Sequence, residues 1–196
     1  MTDPVVRLVT ALGLAGGGLA VGALAAAHQI SGPQRPDLAA AIDWAAERRP
    51  GSRISLLGFS MGAATSILVA ARDRRVERVL ADSPFADIHG VIASAARGMH
   101  LPPVPLALVD LVTGLRYGCR FREVQPVDVV AEIAPRPLLI IHGTQDHVIP
   151  VEHAHRLADA AGDGCELRIV DGVDHCGAYF ADRPGYIERA AGFLGL

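Results

Sequence analysis

Short, nearly unbroken apolar runs alternate along this chain with longer stretches whose apolar residues recur every three to four positions. The first kind of run fits a buried strand and the second a helix packed on one face. The strand-like runs are Arg53–Phe59, Val76–Ala81, Pro137–His142 and Glu166–Val170. Helical spacing covers Asp37–Arg49, with Leu38, Ile42 and Ala45 on one face, then Met61–Ala71, Val151–Gly162 and Pro184–Leu196. In the last of these, Tyr186, Ile187, Ala190, Phe193 and Leu194 form one stripe. This alternation predicts an α/β fold, a parallel sheet of about four strands with flanking helices, spanning residues 37–196. Between the second and third strands, residues 84–135 exceed a plain crossover and carry LPPVP, which predicts a small helical cap.

The amino-terminal pattern differs. From Leu8 to Ala27 no charge interrupts the sequence. As a helix this segment would extend about 30 Å, roughly the thickness of a bilayer core. It predicts a membrane anchor within residues 1–30, followed by a linker, SGPQRP, at 31–36. A cleavable signal peptide is the competing reading, with Arg7 as its basic start and Ala25-Ala26-Ala27 as its cleavage site. Gly13/Gly17 and Gly18/Gly22 have the spacing that lets membrane helices approach closely, although chance matches it in so glycine-rich a segment. Arg7 before the segment gives a weak lean toward a single-pass anchor with the domain outside the cytoplasm.

Composition changes the picture little. The 196 residues suffice for one domain with a sizeable core. The net charge of −3 is scattered, which argues against a nucleic-acid partner. All 18 basic residues are arginine, a compositional bias of an Ala/Gly-rich chain. Three cysteines, Cys119, Cys165 and Cys176, form neither a disulfide framework nor a zinc-binding spacing.

The chemistry concentrates in three places. Ser60 stands in GFSMG between a predicted strand and a predicted helix, with Gly58 and Gly62 as the small neighbours a sharp turn needs. A helix start there aims backbone N–H groups, that of Met61 first, at any oxyanion formed beside the serine. A serine hydroxyl needs a base, and the base an orienting acid. Asp146 follows the third strand in HGTQDHVIP, and His175 follows the last in VDGVDHC, so the order Ser, acid, His is kept. Asp171 and Asp174 compete for the acid's place but share His175's own loop. Among the other histidines, His142 ends a strand, His147 adjoins Asp146, and His153 and His155 point to different faces of a helix. A metal site from these four has poor ligand geometry, so no metal is expected. Cys176 reads as a packed thiol, and Asp82 and Asp87 in ADSPFAD as structural groups that cap a strand end and turn.

From about Asp37 onward the chain resembles the α/β-hydrolase superfamily, in particular bacterial serine hydrolases of the esterase, lipase and serine-aminopeptidase-like branches. GFSMGAA, ADSPFAD, IAPRPLLIIHGTQDHVIP and VDGVDHC carry the resemblance. It implies cleavage of an ester, thioester or amide through an acyl-enzyme on Ser60, with His175 as general base and acid and Asp146 orienting it. Such a triad needs no metal or organic cofactor, and the expected partner is a small-molecule acyl or peptide substrate, whose identity the resemblance does not imply. Relatives of this type often carry an N-terminal membrane helix, which would attach this chain to a membrane.

The same resemblance implies about eight strands with the nucleophile after the fifth, whereas Ser60 follows the first recognisable one. The N-terminal half of the sheet is thus expected to be absent, and with it the oxyanion donor supplied by the loop after the third strand. Loss of one such donor typically costs about 10²–10³ in turnover. A catalytically weak or inactive truncated hydrolase, serving as a membrane-bound interaction module, is the alternative. Arg53–Phe59 would then be an apolar edge strand open to self-association.

Overall fold

The computed structural model describes residues 7–12, 34–98, 111, 115 and 124–196. Its elements are β1 (Arg7–Leu12), α1 (Gln34–Arg48), β2 (Ile54–Phe59), α2 (Met61–Ala70), β3 (Val76–Asp82), α3 (Ile88–Gly98), β4 (Leu138–Gly143), α4 (Glu152–Ala161), β5 (Cys165–Val170), α5 (Ala178–Ala181) and α6 (Arg183–Leu194). The sheet order is β1-β2-β3-β4-β5, and each pair is parallel.

Successive side chains of a strand face opposite ways, and the buried residues divide accordingly. Leu56, Val79, Ala81, Leu138 and Ile140 meet Leu38 and Ile42 of α1, Ile67 of α2, and Ala154 and Leu157 of α4. On the other face, Leu57, Leu80, Leu139 and Ile141 meet Ala178 of α5 and Tyr186, Ala190 and Leu194 of α6. Three layers result, with the central strands covered on both sides, which is why β2 and β4 read as continuous apolar runs. Leu56, Leu80, Leu139 and Ile140 are fully buried, and each such side chain stabilises the fold by about 1.5–3 kcal/mol. A third cluster, Ala64, Leu68, Phe85, Ile88, Val124 and Ile149, joins the start of α2 to the base of the expected cap.

The four predicted strands all form, each within a residue of its expected bounds. The sheet nevertheless has a fifth, β1, which pairs with β2 from Arg7↔Ile54 to Leu12↔Phe59. The expectation that β2 is an edge strand is therefore corrected: β1 occupies that edge. The signal for β1 lay in RLVTAL, an apolar run with Val9 and Thr10. A short apolar run does not by periodicity separate a buried strand from a buried helix. A membrane helix from Leu8 and a strand over Arg7–Leu12 exclude one another; the remainder of the expected anchor, residues 13–27, lies outside the described residues. Among the described residues no helix is long and apolar enough to cross a membrane.

Helix α1 starts at Gln34, inside the expected linker, because a proline in the first helical turn forfeits only an N–H that has no intrahelical partner. Of the expected cap, α3 and two short 3₁₀ turns at Pro126–Asp128 and Val130–Ile133 are described, whereas LPPVP lies outside the described residues. Asp87 caps α3, accepting the Gly90 N–H at 2.6 Å, while its other oxygen pairs with Arg156 of α4 at 2.6 Å.

Candidate active site

Parallel strands deliver all their carboxyl ends to one side of a sheet, where ligands of such folds bind. Ser60 follows β2, Asp146 lies in the loop after β4, and His175 in the loop after β5. Helix α2 begins at Met61, directly after β2, so the chain reverses within one residue. Ser60 takes up that reversal with φ 51° and ψ −117°, a conformation L-residues rarely adopt. Gly58 makes the turn sterically possible, because a Cβ there would collide with the Gly62 carbonyl and stand 2.6 Å from the Ala63 nitrogen. The first N–H groups of α2, including that of Met61, have no partner within the helix, and the helix dipole adds positive potential beside Ser60.

Asp146 is almost fully buried, and three hydrogen-bond donors converge on its carboxylate. Oδ1 accepts the backbone N–H of Val148 at 2.9 Å and of Ile149 at 2.7 Å. Oδ2 accepts from His175 Nδ1 at 2.7 Å and lies 3.2 Å from His142 Nε2. Burial alone would raise the carboxyl's pKa, but the bonds from His142, His175 and the Ile149 N–H outweigh it and hold the group well below the usual carboxylate range. Asp146 is thus an anion. With Nδ1 of His175 donating to it, Nε2 is left to accept, and it stands 2.9 Å from Ser60 Oγ. Burial depresses the imidazole pKa, yet the hydrogen bond to Asp146 and the neighbouring Cys176 thiol reverse this and leave it raised.

The two loops clasp each other. A Cβ at Gly143 would collide with the Val173 carbonyl, so the glycine permits the close approach that lets Gln145 N–H donate to Val173 O at 2.9 Å. Thr144 Oγ donates to Asp171 at 3.0 Å and accepts the Gly172 N–H at 2.8 Å. Asp174 Oδ1 accepts the N–H groups of His147 and His175, at 3.0 and 2.7 Å. Asp171 and Asp174, the competitors for the acid's place, therefore shape the loop, while Asp146 is the carboxylate on the His175 ring. Of the histidines weighed as a metal set, His142 bonds Ile149 O at 2.9 Å, His153 Nδ1 accepts the Ala86 N–H at 3.1 Å, and His147 and His155 are exposed.

Sequence reasoning passed over two residues. His142, which ends a strand, is fully buried, and its Nε2, bonded to Ile149 O, stands 3.2 Å from Asp146 Oδ2. Ser83 was not singled out. It lies between β3 and Pro84, has φ 51°, and donates its hydroxyl to the buried Asp82 carboxylate at 3.1 Å. Its one visible signal was a small polar residue directly after a buried strand, in the loop between those of Ser60 and Asp146.

Comparison with known proteins places this arrangement. The profile of the prolyl oligopeptidase family matches residues 23–195. The chain is 34% identical over 145 residues to the uncharacterized protein YqkD of Bacillus subtilis, covering 72% of this chain and 47% of that protein. It is 32% identical over 139 residues to the uncharacterized protein YfhR of Escherichia coli, covering 70% and 43%. The chain thus spans about half the length of the curated relatives it matches. Among solved structures, an esterase of Pyrococcus furiosus, Pf2001, superposes with a TM-score of 0.63 at 22% identity, over 85% of this chain and 62% of that one. The α/β hydrolase GrgF of Penicillium sp. sh18 gives 0.60 at 22% identity, over 83% and 70%. At such identities the structural likeness speaks for the fold. Together with the profile match over most of its length, it shows that the chain belongs to the prolyl oligopeptidase family of the α/β-hydrolase superfamily.

Proposed function

We propose that the chain is a serine hydrolase that cleaves an ester, thioester or amide through an acyl-enzyme on Ser60. The observation that carries this reading is the continuous hydrogen-bonded line Ser60 Oγ–His175 Nε2, His175 Nδ1–Asp146 Oδ2, at 2.9 and 2.7 Å. In this reading Ser60 Oγ attacks the substrate carbonyl while its proton passes to His175 Nε2. The oxyanion of the tetrahedral intermediate takes the Met61 N–H at the start of α2. His175 then returns the proton to the leaving group, and a water activated by the same nitrogen releases the acyl group from Ser60. Asp146 stays ionised throughout and stabilises the imidazolium, which suits its depressed pKa. The structural neighbours named as esterases support ester cleavage as the first chemistry to assay.

A fluorophosphonate probe tests the proposal, since it reacts only with a serine activated in this way. Labelling of the full chain is expected, lost entirely in Ser60→Ala and reduced by at least about 10³ in His175→Ala. A folded wild-type protein that takes no label would refute the enzyme reading and favour the alternative of a non-catalytic interaction module.

A further inference from the structure

Beneath the line from Ser60 to Asp146 lies a second polar group that the proposed mechanism does not use. Asp82 ends β3, between the strands that carry Ser60 and Asp146, and is fully buried. Its backbone carbonyl accepts the Ser60 N–H at 2.8 Å, and the next residue's N–H, that of Ser83, donates to Ile141 O of β4 at 2.8 Å. The Ser83 hydroxyl donates to Asp82 Oδ1 at 3.1 Å and accepts the N–H of Cys176 at 3.0 Å. Cys176 directly follows His175 and has φ 53°.

A hydroxyl has one proton and two lone pairs. An ionised Asp82 can only accept, so it draws the Ser83 proton to itself and leaves a lone pair for the Cys176 N–H. Both ends of this tether, Ser83 and Cys176, hold positive φ, which non-glycine residues keep only where the surroundings impose it. On its amino side His175 is held by the exposed Asp174, through the 2.7 Å bond to its own N–H. On its carboxyl side, the partly buried hydrogen bond from the Cys176 N–H to Ser83 holds the chain.

We infer that Ser83 is a positioning residue for the base: anchored by Asp82, its hydroxyl holds the Cys176 N–H and thereby sets the His175 imidazole between Ser60 and Asp146. This rests on the serine-hydrolase reading, in which the base must stand within hydrogen-bond reach of the nucleophile. Displacing a catalytic group by about 1 Å can cost about 10² in rate.

Ser83→Ala and Ser83→Gly test the inference together, because both lack the hydroxyl and only glycine tolerates φ 51° without strain. Three readouts on the full chain are needed: fluorophosphonate labelling rate with kcat and KM on a p-nitrophenyl ester, the thermal midpoint, and amide hydrogen exchange at Cys176. Both variants are expected to lower labelling rate and kcat about 10–100-fold with KM within about twofold, and to speed Cys176 exchange. Ser83→Gly should do so with a thermal midpoint at or above that of Ser83→Ala. Wild-type rates in both variants would overturn the inference, as would a rate loss confined to whichever variant is destabilised. A wild type that takes no label refutes the enzyme reading instead. Cys176 exchange then still tests the tether, and unchanged exchange in Ser83→Gly overturns it.

Discussion

Replacing Asp82 by Asn is expected to stabilise the protein, by an amount that grows with pH. Asp82 is fully buried, its Oδ2 lacks a hydrogen-bond partner of good geometry, and so does the hydroxyl of its neighbour Tyr186. Burial pushes its pKa from 3.8 up to about 6, against the smaller opposing effects of Tyr186, Ser83, His142 and His175. The folded state therefore holds this proton more tightly than the unfolded chain. Asp82's contribution to wild-type stability falls as pH rises from 3.8 through about 6 and levels off above it. A shift of roughly 2 units at ~1.4 kcal/mol each amounts to about 3 kcal/mol, an upper figure because the surroundings relax. Asparagine keeps an oxygen for the Ser83 hydroxyl and places an amide where Oδ2 faces Tyr186, without any titration. Urea unfolding of both proteins from pH 5 to 8 isolates the effect, since titrating groups that do not interact with Asp82 cancel in the difference. The Asn variant should lead by about half the full amount at pH 5 and by nearly all of it at pH 8. A lead that does not change with pH, or one that shrinks as pH rises, would refute the argument that Asp82 is a desolvated carboxylate.

Three further outcomes follow from the geometry. The raised His175 pKa places the rise of kcat/KM with pH above the ordinary histidine value of about 6.5, and Asp146→Asn should both lower that midpoint and cut kcat by about 10³–10⁴; a midpoint unmoved by the substitution would contradict the pairing. Gly58→Ala drives a methyl into the Gly62 carbonyl, so it should cost about 1–3 kcal/mol in urea unfolding and slow probe labelling, whereas normal labelling would mean the turn has slack. Ser60→Gly should be more stable than Ser60→Ala by about 1 kcal/mol, the reverse of the usual order, because glycine alone is unstrained at φ 51°; equal stabilities in urea would deny that strain.

The alternation of apolar runs and helical spacing made the four strands and their helices legible, because burial on both faces of a parallel sheet leaves an unbroken apolar record, as in LLII of β4. Ser60, Asp146 and His175 were legible for a different reason: each follows a strand, and the chain order of serine, acid and histidine narrows the choice. What stayed hidden involves partners distant in sequence or patterns shared by two structures. RLVTAL could have been the start of a helix, and only its pairing with β2 makes it a strand. His142 and Ser83 act through contacts to residues that no spacing rule links to them. Ser83 lies 93 positions from the Cys176 it holds.

Among the described residues, three non-glycine positions have positive φ: Ser60, Ser83 and Cys176. Such conformations cost about 1–3 kcal/mol each and persist where the surroundings overdetermine them. Here the overdetermination can be traced bond by bond. Ser60 N–H is held by Asp82 O, Ser83 N–H by Ile141 O, and Cys176 N–H by Ser83 Oγ. Each strained residue is thus tied to a neighbouring strand's end or to another strained residue. The strands themselves are fixed by fully buried side chains, Leu56, Leu80 and Ile140 among them. Strain at three adjoining loops, each with its N–H fastened, is a poor way to make a stable fold and a good way to hold a hydroxyl, an imidazole and a carboxylate in one line. The buried Asp82 fits the same account. Its burial is unfavourable to the ionised form, yet in the mechanism proposed above it fixes the direction of the Ser83 proton, and through Cys176 that direction would reach the base serving Ser60.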